Sequence, residues 1–168
     1  MGISREVFKI TGGFHFDRLA EDIELSVRLR KLGLRVGLIP EAFVYHQRRT
    51  TLREFFKQVS NFGKGRALVG RAHHGEVKLV HWFPSFFLLG LVFLLPLALI
   101  NYLLGEVTAI LFLIYLVTIG ADSLKKTKSI AVAVLSIPSA VTQLTGYGYG
   151  LLRETLRPAK KPRGSGSE

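Results

Sequence analysis

The residues best suited to chemistry are two adjacent carboxylates, Glu21 and Asp22, near the start of the cation-rich segment 18–36. A carboxylate placed within hydrogen-bond reach of a substrate hydroxyl can remove its proton as a general base. Two acids at the start of a helix can instead complement the positive end of the helix dipole. The spacing of the two carboxylates leaves both roles open.

A helix is predicted directly behind the two carboxylates. The apolar residues of IELSVRLRKL, residues 23–32, fit either the alternation of a strand or one face of a helix. Acids open this segment, cations fill its last turn, and Gly33 follows where a left-handed helix cap is favoured. Glu24 and Arg28 are also spaced for an ion pair across one turn. These signals favour a helix whose first turn holds the carboxylate pair.

Two short strands and a second helix are predicted next. The sequences LRVGLIP and AFVYHQ have the composition of strands and are separated at Pro40 and Glu41. Thr51 and Glu54 then form a capping box ahead of an apolar stripe at helical spacing. Cations occupy the other faces of this second helix, which is therefore suited to lie along a membrane surface.

The second half of the chain is apolar enough to enter a bilayer. Residues 82–104 and 107–124 are each long enough to cross it, with a turn at Glu106 and a Lys cluster after the second crossing. Two crossings return the chain to its starting side, which the Lys cluster predicts to be the cytoplasm. Segment 129–152 is less apolar and broken at Pro138, and a full span would carry the following cations outward. A re-entrant or interfacial helical pair is therefore favoured over a third span.

The formal net charge of +11 is compatible with two kinds of partner. Clustered Lys and Arg attract nucleic-acid phosphates, but the sequence contains no nucleic-acid-binding motif. Beside membrane segments, the same excess indicates a cytoplasmic flank that faces anionic headgroups. The absence of cysteine excludes disulfides and Cys-ligated metals. We therefore expect membrane lipid as a partner and no nucleic acid.

The stretch TGGFHFDRLAEDIELSVRLRKLGLRVGLIPEAFVYHQ resembles the second half of the catalytic domain of family 2 glycosyltransferases, inverting enzymes with a GT-A fold. The resemblance rests on the turn Gly12, Gly13, Phe14, on the Glu-Asp pair that opens a helix rich in Leu and Arg, and on Pro-Glu-Ala before a strand ending in His. It implies that Asp22 is the base that deprotonates the acceptor hydroxyl and that Glu21 is its supporting neighbour. It also implies that the Gly-Gly-Phe turn is an acceptor-side loop.

The resemblance covers about residues 2–70 and also implies contacts to the donor diphosphate. Processive members carry Gln-x-x-Arg-Trp on the interfacial helix, whereas the aligned stretch here runs from Gln58 to Phe62 without the Arg and the Trp. Transfer of a single sugar to a lipid-linked, glycan or other membrane-associated acceptor is therefore expected. The candidate contacts to the diphosphate or the donor are Gln58, Arg48, Arg49, Lys64 and Arg66. For the four cations, a solvated or headgroup-facing role is the alternative. His46 is a candidate metal ligand, with a structural role as its alternative.

One part of the family's machinery has no counterpart in the sequence. Family members bind the nucleotide sugar in a preceding Rossmann-like half, whose Asp-x-Asp sequence holds a divalent cation, and no Asp-x-Asp occurs here. We therefore expect a fragment, a truncated chain or half of a split enzyme, inactive alone, with Mg²⁺ or Mn²⁺ bound mostly by the other half on a partner chain. The alternative is a non-enzymatic membrane module that binds anionic lipid or a partner subunit through Arg53, Lys57 and Lys64.

The predicted fold is thus an α/β fragment, the second half of a GT-A-like domain, followed by an amphipathic interfacial helix and membrane helices. The expected location is the cell membrane, with several crossings and the catalytic part in the cytoplasm. The predicted parts are the acceptor-side part of the catalytic domain at 1–49, the interfacial helix at 50–78, two transmembrane helices at 79–124, a re-entrant or interfacial segment at 125–157, and a disordered tail with a Gly-Ser linker at 158–168.

Overall fold

Helices make up most of the structure. A computed structural model describes residues 2–45 and 50–158 of the chain. Within these ranges the helices are α1 (Arg5–Thr11), α2 (Glu21–Lys31), α3 (Leu52–Ala72), α4 (Phe83–Ile100), α5 (Tyr102–Thr127) and α6 (Ile130–Thr155), with a short 3-10 helix at Leu79–Trp82 before α4.

The predicted α/β layer, and with it the GT-A-like fold, is wrong for the described part of the chain, which contains no strand. The segments predicted as strands form neither helix nor sheet through residue 45. A strand is stable only when a neighbour pairs with its backbone, and the described residues supply no such neighbour. Apolar side chains of this segment remain in solvent as a result, with Leu38 89%, Val44 85% and Tyr45 96% exposed.

The predicted helix behind the carboxylate pair is confirmed as α2. Its end follows the Schellman pattern, in which Gly33 adopts a left-handed φ of +74°. The N–H of Leu34 donates to the carbonyl of Leu29 at 3.0 Å, and the N–H of Gly33 donates to that of Arg30 at 3.0 Å. Both hydrogen bonds satisfy carbonyls that the end of the helix would otherwise leave without a donor.

The second predicted helix is confirmed as α3. The Thr51 hydroxyl accepts the N–H of Glu54 at 3.2 Å and caps the first turn. Helix α3 is not an isolated surface helix, because one of its faces packs against the C-terminal half of α6.

Glycines in the run Gly-Tyr-Gly-Tyr-Gly allow α3 and α4 to approach α6 backbone to backbone. Gly146 and Gly150, one helical turn apart, both face α3, and Gly148 faces Pro84 and Ser85 at the start of α4. A Cβ at Gly150 would collide with the Ser60 carbonyl and lie 2.9 Å from its Cα. Small residues at such a crossing bring helix backbones close enough for dense packing, as they do between membrane helices.

Among the described residues, three helices are long and apolar enough to cross a membrane, and they span Leu79–Ile100, Tyr102–Thr127 and Ile130–Thr155. The first two are joined at Asn101, not at Glu106 as the sequence indicated, because the Asn101 side chain caps α5 by accepting the N–H of Leu104 at 3.2 Å. This arrangement is compatible with anchoring in a membrane.

Helix α6 is one continuous helix that passes through Pro138, whereas a broken pair was predicted. Its most apolar window has a mean hydropathy of 1.4, against 2.4 for α4 with the 3-10 helix before it and 2.1 for α5. Its first half lies against α5 near Gly120, and its second half lies against α3 and the start of α4. The C-terminal end of α6 therefore lies beside the N-terminal end of α4.

We expect Gly150→Ala to destabilise the fold by about 1–3 kcal/mol, because the added methyl meets helix backbone that cannot rotate away. The midpoint of thermal unfolding, followed by circular dichroism in detergent, measures the effect. Gly37→Ala is the matched control, since a Cβ at Gly37 meets nothing within 4 Å. Equal midpoints for the two variants would contradict the close approach of α3 and α6.

Candidate functional site

An open pocket of about 760 Å³ lies between the start of α2 and the first half of α3. It joins residues that are far apart in the sequence: Glu21 and Asp22 from α2, Phe14 from the preceding turn, and Gln58 from α3. All four were predicted site residues. The remaining lining residues are Arg18, Leu19, Ala20, Ile23, Glu54, Lys57, Asn61, Phe62 and Gly65.

A strained turn sets the position of the carboxylate pair. Arg18 and Ala20 have left-handed φ angles of 64° and 58°, and Ala20 begins α2 without a side-chain cap. Such angles cost about 1 kcal/mol or more for each residue with a Cβ. Gly65 of α3 accommodates the turn, because a Cβ there would lie only 2.8 Å from that of Ala20. The turn and α3 therefore fit together at the wall of the pocket.

Both carboxylates lie in the first turn of α2, at the positive end of the helix dipole. Glu21 is half-buried, whereas Asp22 is exposed and lines the pocket. One oxygen of Asp22, Oδ1, accepts the N–H of Ile23 at 2.8 Å. Asp22 thus combines a fixed backbone contact with access to a cavity large enough for a sugar-sized ligand.

A third carboxylate of α2, that of Glu24, is buried. Glu24 is only 2% exposed, and Arg28 forms a two-pronged ion pair with it, with Nε 2.7 Å from Oε1 and Nη2 3.0 Å from Oε2. The predicted Glu24–Arg28 pair is therefore confirmed. His73, just after α3, adds a third contact at 3.1 Å between Nε2 and Oε1. A buried carboxylate is stable only when it is paired in this way.

Arg28 also fixes the Gly-Gly-Phe turn. Its guanidinium donates to the carbonyl of Thr11 at 2.6 Å and to that of Gly13 at 2.5 Å. Gly12 and Gly13 have left-handed φ angles of 69° and 78°, which permit the sharp reversal after α1. Neither glycine lines the pocket; they position Phe14, which does.

His73 joins the end of α3 to α2 through both of its ring nitrogens. Lys31 Nζ lies 3.2 Å from Nδ1, while Nε2 faces Glu24. An ammonium group can only donate, so Nδ1 is the acceptor and Nε2 carries the proton that Glu24 accepts. Sequence analysis did not find this role for His73, because no local spacing connects residues of α2 with the end of α3.

Competing influences set the pKa of Glu24. Burial raises the pKa of this carboxyl, but hydrogen bonds from Arg28 and His73, together with the charges of Arg28 and His15, outweigh burial and hold the pKa below its ordinary value. A carboxyl whose pKa falls on folding stabilises the fold above its unfolded-state pKa. That contribution is lost as the pH falls through the folded-state pKa.

The other predicted site residues lie elsewhere. Lys64 lines a separate cleft beside Arg153, and Arg66 lies next to the Tyr147 hydroxyl. His46, Arg48 and Arg49 lie outside the described residues, as does the tail from residue 159 onward. Within the described ranges, no group of three His, Asp or Glu side chains is placed to hold a metal ion.

A comparison with models of protein families gives a match over most of the chain. The family model described as "Glycosyl transferase family group 2" matches residues 1–123, which include every residue that lines the pocket. No curated protein and no solved structure matches the chain.

We expect Glu24→Gln to destabilise the protein by about 3 kcal/mol, because the half-buried Arg28 guanidinium loses its charged partner. Thermal unfolding of the purified chain measures the effect. The difference from the native protein should be full near pH 7 and should shrink as the pH falls through the lowered pKa of Glu24.

Glu76→Gln is the matched control for Glu24→Gln. It removes an exposed ion pair with Arg30, whose closest atoms are 3.5 Å apart. Because water screens such a pair, we expect a loss of less than about 1 kcal/mol. If the two variants unfold at the same temperature, the buried ion pair of Glu24 does not stabilise the fold more than the exposed pair does.

Proposed function

Because the chain belongs to glycosyl transferase family group 2, we propose that it takes part in the transfer of a sugar from a nucleotide-sugar donor to a hydroxyl of a membrane-associated acceptor. Asp22 is the proposed base and Glu21 its supporting neighbour. The observation that carries the proposal is the shared pocket, in which both carboxylates meet Phe14 and Gln58. These four residues come from separate parts of the sequence, and only the fold places them around one pocket.

The proposed reaction is one displacement at the anomeric carbon of the sugar. Asp22 accepts the proton of the acceptor hydroxyl as the oxygen forms its bond to the anomeric carbon. The bond from that carbon to the diphosphate breaks at the same time, and its electron pair leaves with the nucleoside diphosphate. Attack from the side opposite the leaving group inverts the anomeric centre, so no covalent enzyme intermediate is required. Phe14 is proposed to orient the acceptor at this step, and Gln58 is proposed to contact the donor diphosphate.

The described residues do not fit a divalent-cation site, since no suitable cluster of His, Asp and Glu exists among them. No step proposed for Asp22 depends on Mg²⁺ or Mn²⁺. We propose that a nucleotide-binding half on a partner chain binds the cation and the nucleotide. The residues of this chain then hold the acceptor and remove its proton.

We also propose that α4 and α5 cross the membrane as a pair, while both ends of α6 stay on one side, the cytoplasmic one. The helices α4 and α5 run in opposite directions, as the contact of Gly105 with Ala98 indicates. The start of α6 follows the Lys cluster at the end of α5. Its other end packs against α3 and the start of α4. A helix with both ends on one side of a membrane is interfacial or re-entrant, in agreement with the charge bias of the flanking cations.

Asp22→Asn is expected to lower kcat by about 100-fold or more, because an amide cannot accept the hydroxyl proton. The assay combines the chain with a nucleotide-binding half, fused or added separately, and follows a radiolabelled sugar from nucleotide donors into membrane lipid. Substrate binding should persist, so KM should change far less than kcat.

Asp17→Asn is the control for Asp22→Asn. Asp17 is exposed in the same connection between α1 and α2 but does not line the pocket. Its loss removes the same charge and should leave transfer within about twofold, as for a typical surface substitution. Undiminished transfer by Asp22→Asn would eliminate the assignment of the base.

Single cysteines can test the arrangement of α6, because the chain contains none of its own. Lys125→Cys, in the last turn of α5 just before α6, and Thr155→Cys, at the end of α6, should react with a membrane-impermeant maleimide from the same side. Asn101→Cys, at the turn between α4 and α5, should react only from the opposite side. Labelling of Thr155→Cys from the Asn101 side would show that α6 is a third crossing.

A further inference from the structure

A small cleft rich in cations lies between α3 and the C-terminal end of α6. This basic cleft has a volume of about 280 Å³. Its side chains come from Ser60, Asn61 and Lys64 of α3, from Arg153 and Glu154 of α6, and from Arg157 just after α6. It is separate from the pocket at Asp22, although Asn61 lines both cavities.

The one carboxylate of the basic cleft is already paired. Glu154 is 6% exposed, with one oxygen 3.2 Å from Arg71 and the other 3.5 Å from Arg157. Arg71 also donates to the backbone carbonyls of Glu154, Thr155 and Arg157 at the end of α6. Within the described part of the chain, neither Lys64 nor Arg153 has a carboxylate partner. The cleft therefore offers two cations to an anion.

Arg153 is held in place by an aromatic neighbour. Its guanidinium donates to the Tyr149 hydroxyl at 3.2 Å, and its central carbon lies 5.7 Å from the centre of the Tyr149 ring. These contacts use one edge and one face of the guanidinium, which has five N–H donors in total. The remaining donors are available to oxygen atoms of a ligand, and little side-chain entropy is lost when they bind.

Neutral groups complete the wall of the cleft. The Ser60 hydroxyl and the Asn61 amide make no side-chain hydrogen bond to other described residues and can donate to a ligand. The close approach of Gly150 to the Ser60 backbone forms the floor between the two helices. Two cations and two neutral donors around one small cavity match the needs of a phosphate group.

The volume and the position of the basic cleft restrict the kind of ligand that it can bind. Pockets for drug-sized ligands measure about 300–1,000 Å³, so this cleft suits a single phosphate with a small substituent better than a nucleotide sugar. It also lies where α6 meets α3 beside the start of α4, next to helices long and apolar enough for a membrane. A lipid whose phosphate is held there would have its apolar chains close to these helices.

We propose that the basic cleft binds the phosphate group of a membrane lipid. The proposal does not rest on sugar transfer, and a binding assay without donor or acceptor keeps its failure distinct from a failure of the proposed function. A bilayer phosphodiester and the phosphomonoester of a lipid-linked acceptor share this chemistry. Because Asn61 also lines the pocket at Asp22, a lipid bound in the basic cleft would lie next to that pocket.

Calorimetric titration of the full chain in a nonionic detergent tests the proposal. The probes are dihexanoyl phosphatidic acid, a monoester, dihexanoyl phosphatidylglycerol, a diester, and inorganic phosphate. We expect at least one lipid to bind, with the tighter of the two identifying the source of the phosphate, and inorganic phosphate to bind about tenfold or more weakly. Lys64→Gln with Arg153→Gln should weaken lipid binding by about tenfold or more, since two charge-assisted contacts are lost.

Arg53→Gln is the control, because Arg53 is exposed on the same helix and lines neither the pocket nor the cleft. It should change lipid binding by less than about twofold, as a surface charge contributes little. Helix content from circular dichroism checks that the double variant is folded. An equal loss in Arg53→Gln, an unchanged affinity in the folded double variant, or equally tight binding of inorganic phosphate would overturn the assignment to a lipid.

Discussion

The buried ion pair of Glu24 and Arg28 is the interaction on which the polar half of the chain depends. A carboxylate this deeply buried costs several kcal/mol in lost hydration, and only close cationic partners with good geometry offset that cost. Arg28 satisfies Glu24 and at the same time holds the Thr11 and Gly13 carbonyls. His73 connects the same carboxylate to the end of α3. One charge therefore fixes the Gly-Gly-Phe turn, α2 and α3 relative to one another, and these are the elements around the pocket.

Local signals in the sequence correctly predicted the features that depend on a few neighbouring residues. The Thr51 cap, the Gly33 ending and the Glu24–Arg28 spacing each act within a few residues, and all three are found in the structure. The two predicted strands failed because alternation of side chains does not create a strand without a partner, and the described residues contain none. Helix α1 was missed because seven residues are too few to show an apolar period, and the helix depends on the Ser4 cap and the Gly12 ending.

The candidate site shows the same division between local and distant information. Glu21, Asp22, Phe14 and Gln58 were identified one by one, and the pocket that joins them depends on the fit of Gly65 against the turn at Ala20. No pattern within either segment predicts this fit. The glycines of α6 illustrate the same limit, because their small size was visible in the sequence whereas the helix that each one faces was not. Backbone contact between helices is a property of pairs of segments, and a single segment does not encode it.

Helix α3 contributes residues to both cavities, and two of its sides have different neighbours. One side carries Gln58 and Gly65 at the pocket, and the other carries Val59 and Gly63 against α6. The approach of Gly63 to the Tyr147 carbonyl leaves no space for α3 to rotate about its axis without breaking this packing. Rotation of α3 would also carry Gly65 away from Ala20 and change the turn that leads into Glu21. The packing against α6 therefore constrains the carboxylate pair, although no residue of α6 lines the pocket. The apolar helices are in this sense part of the support for the site, in addition to being suited to anchor it.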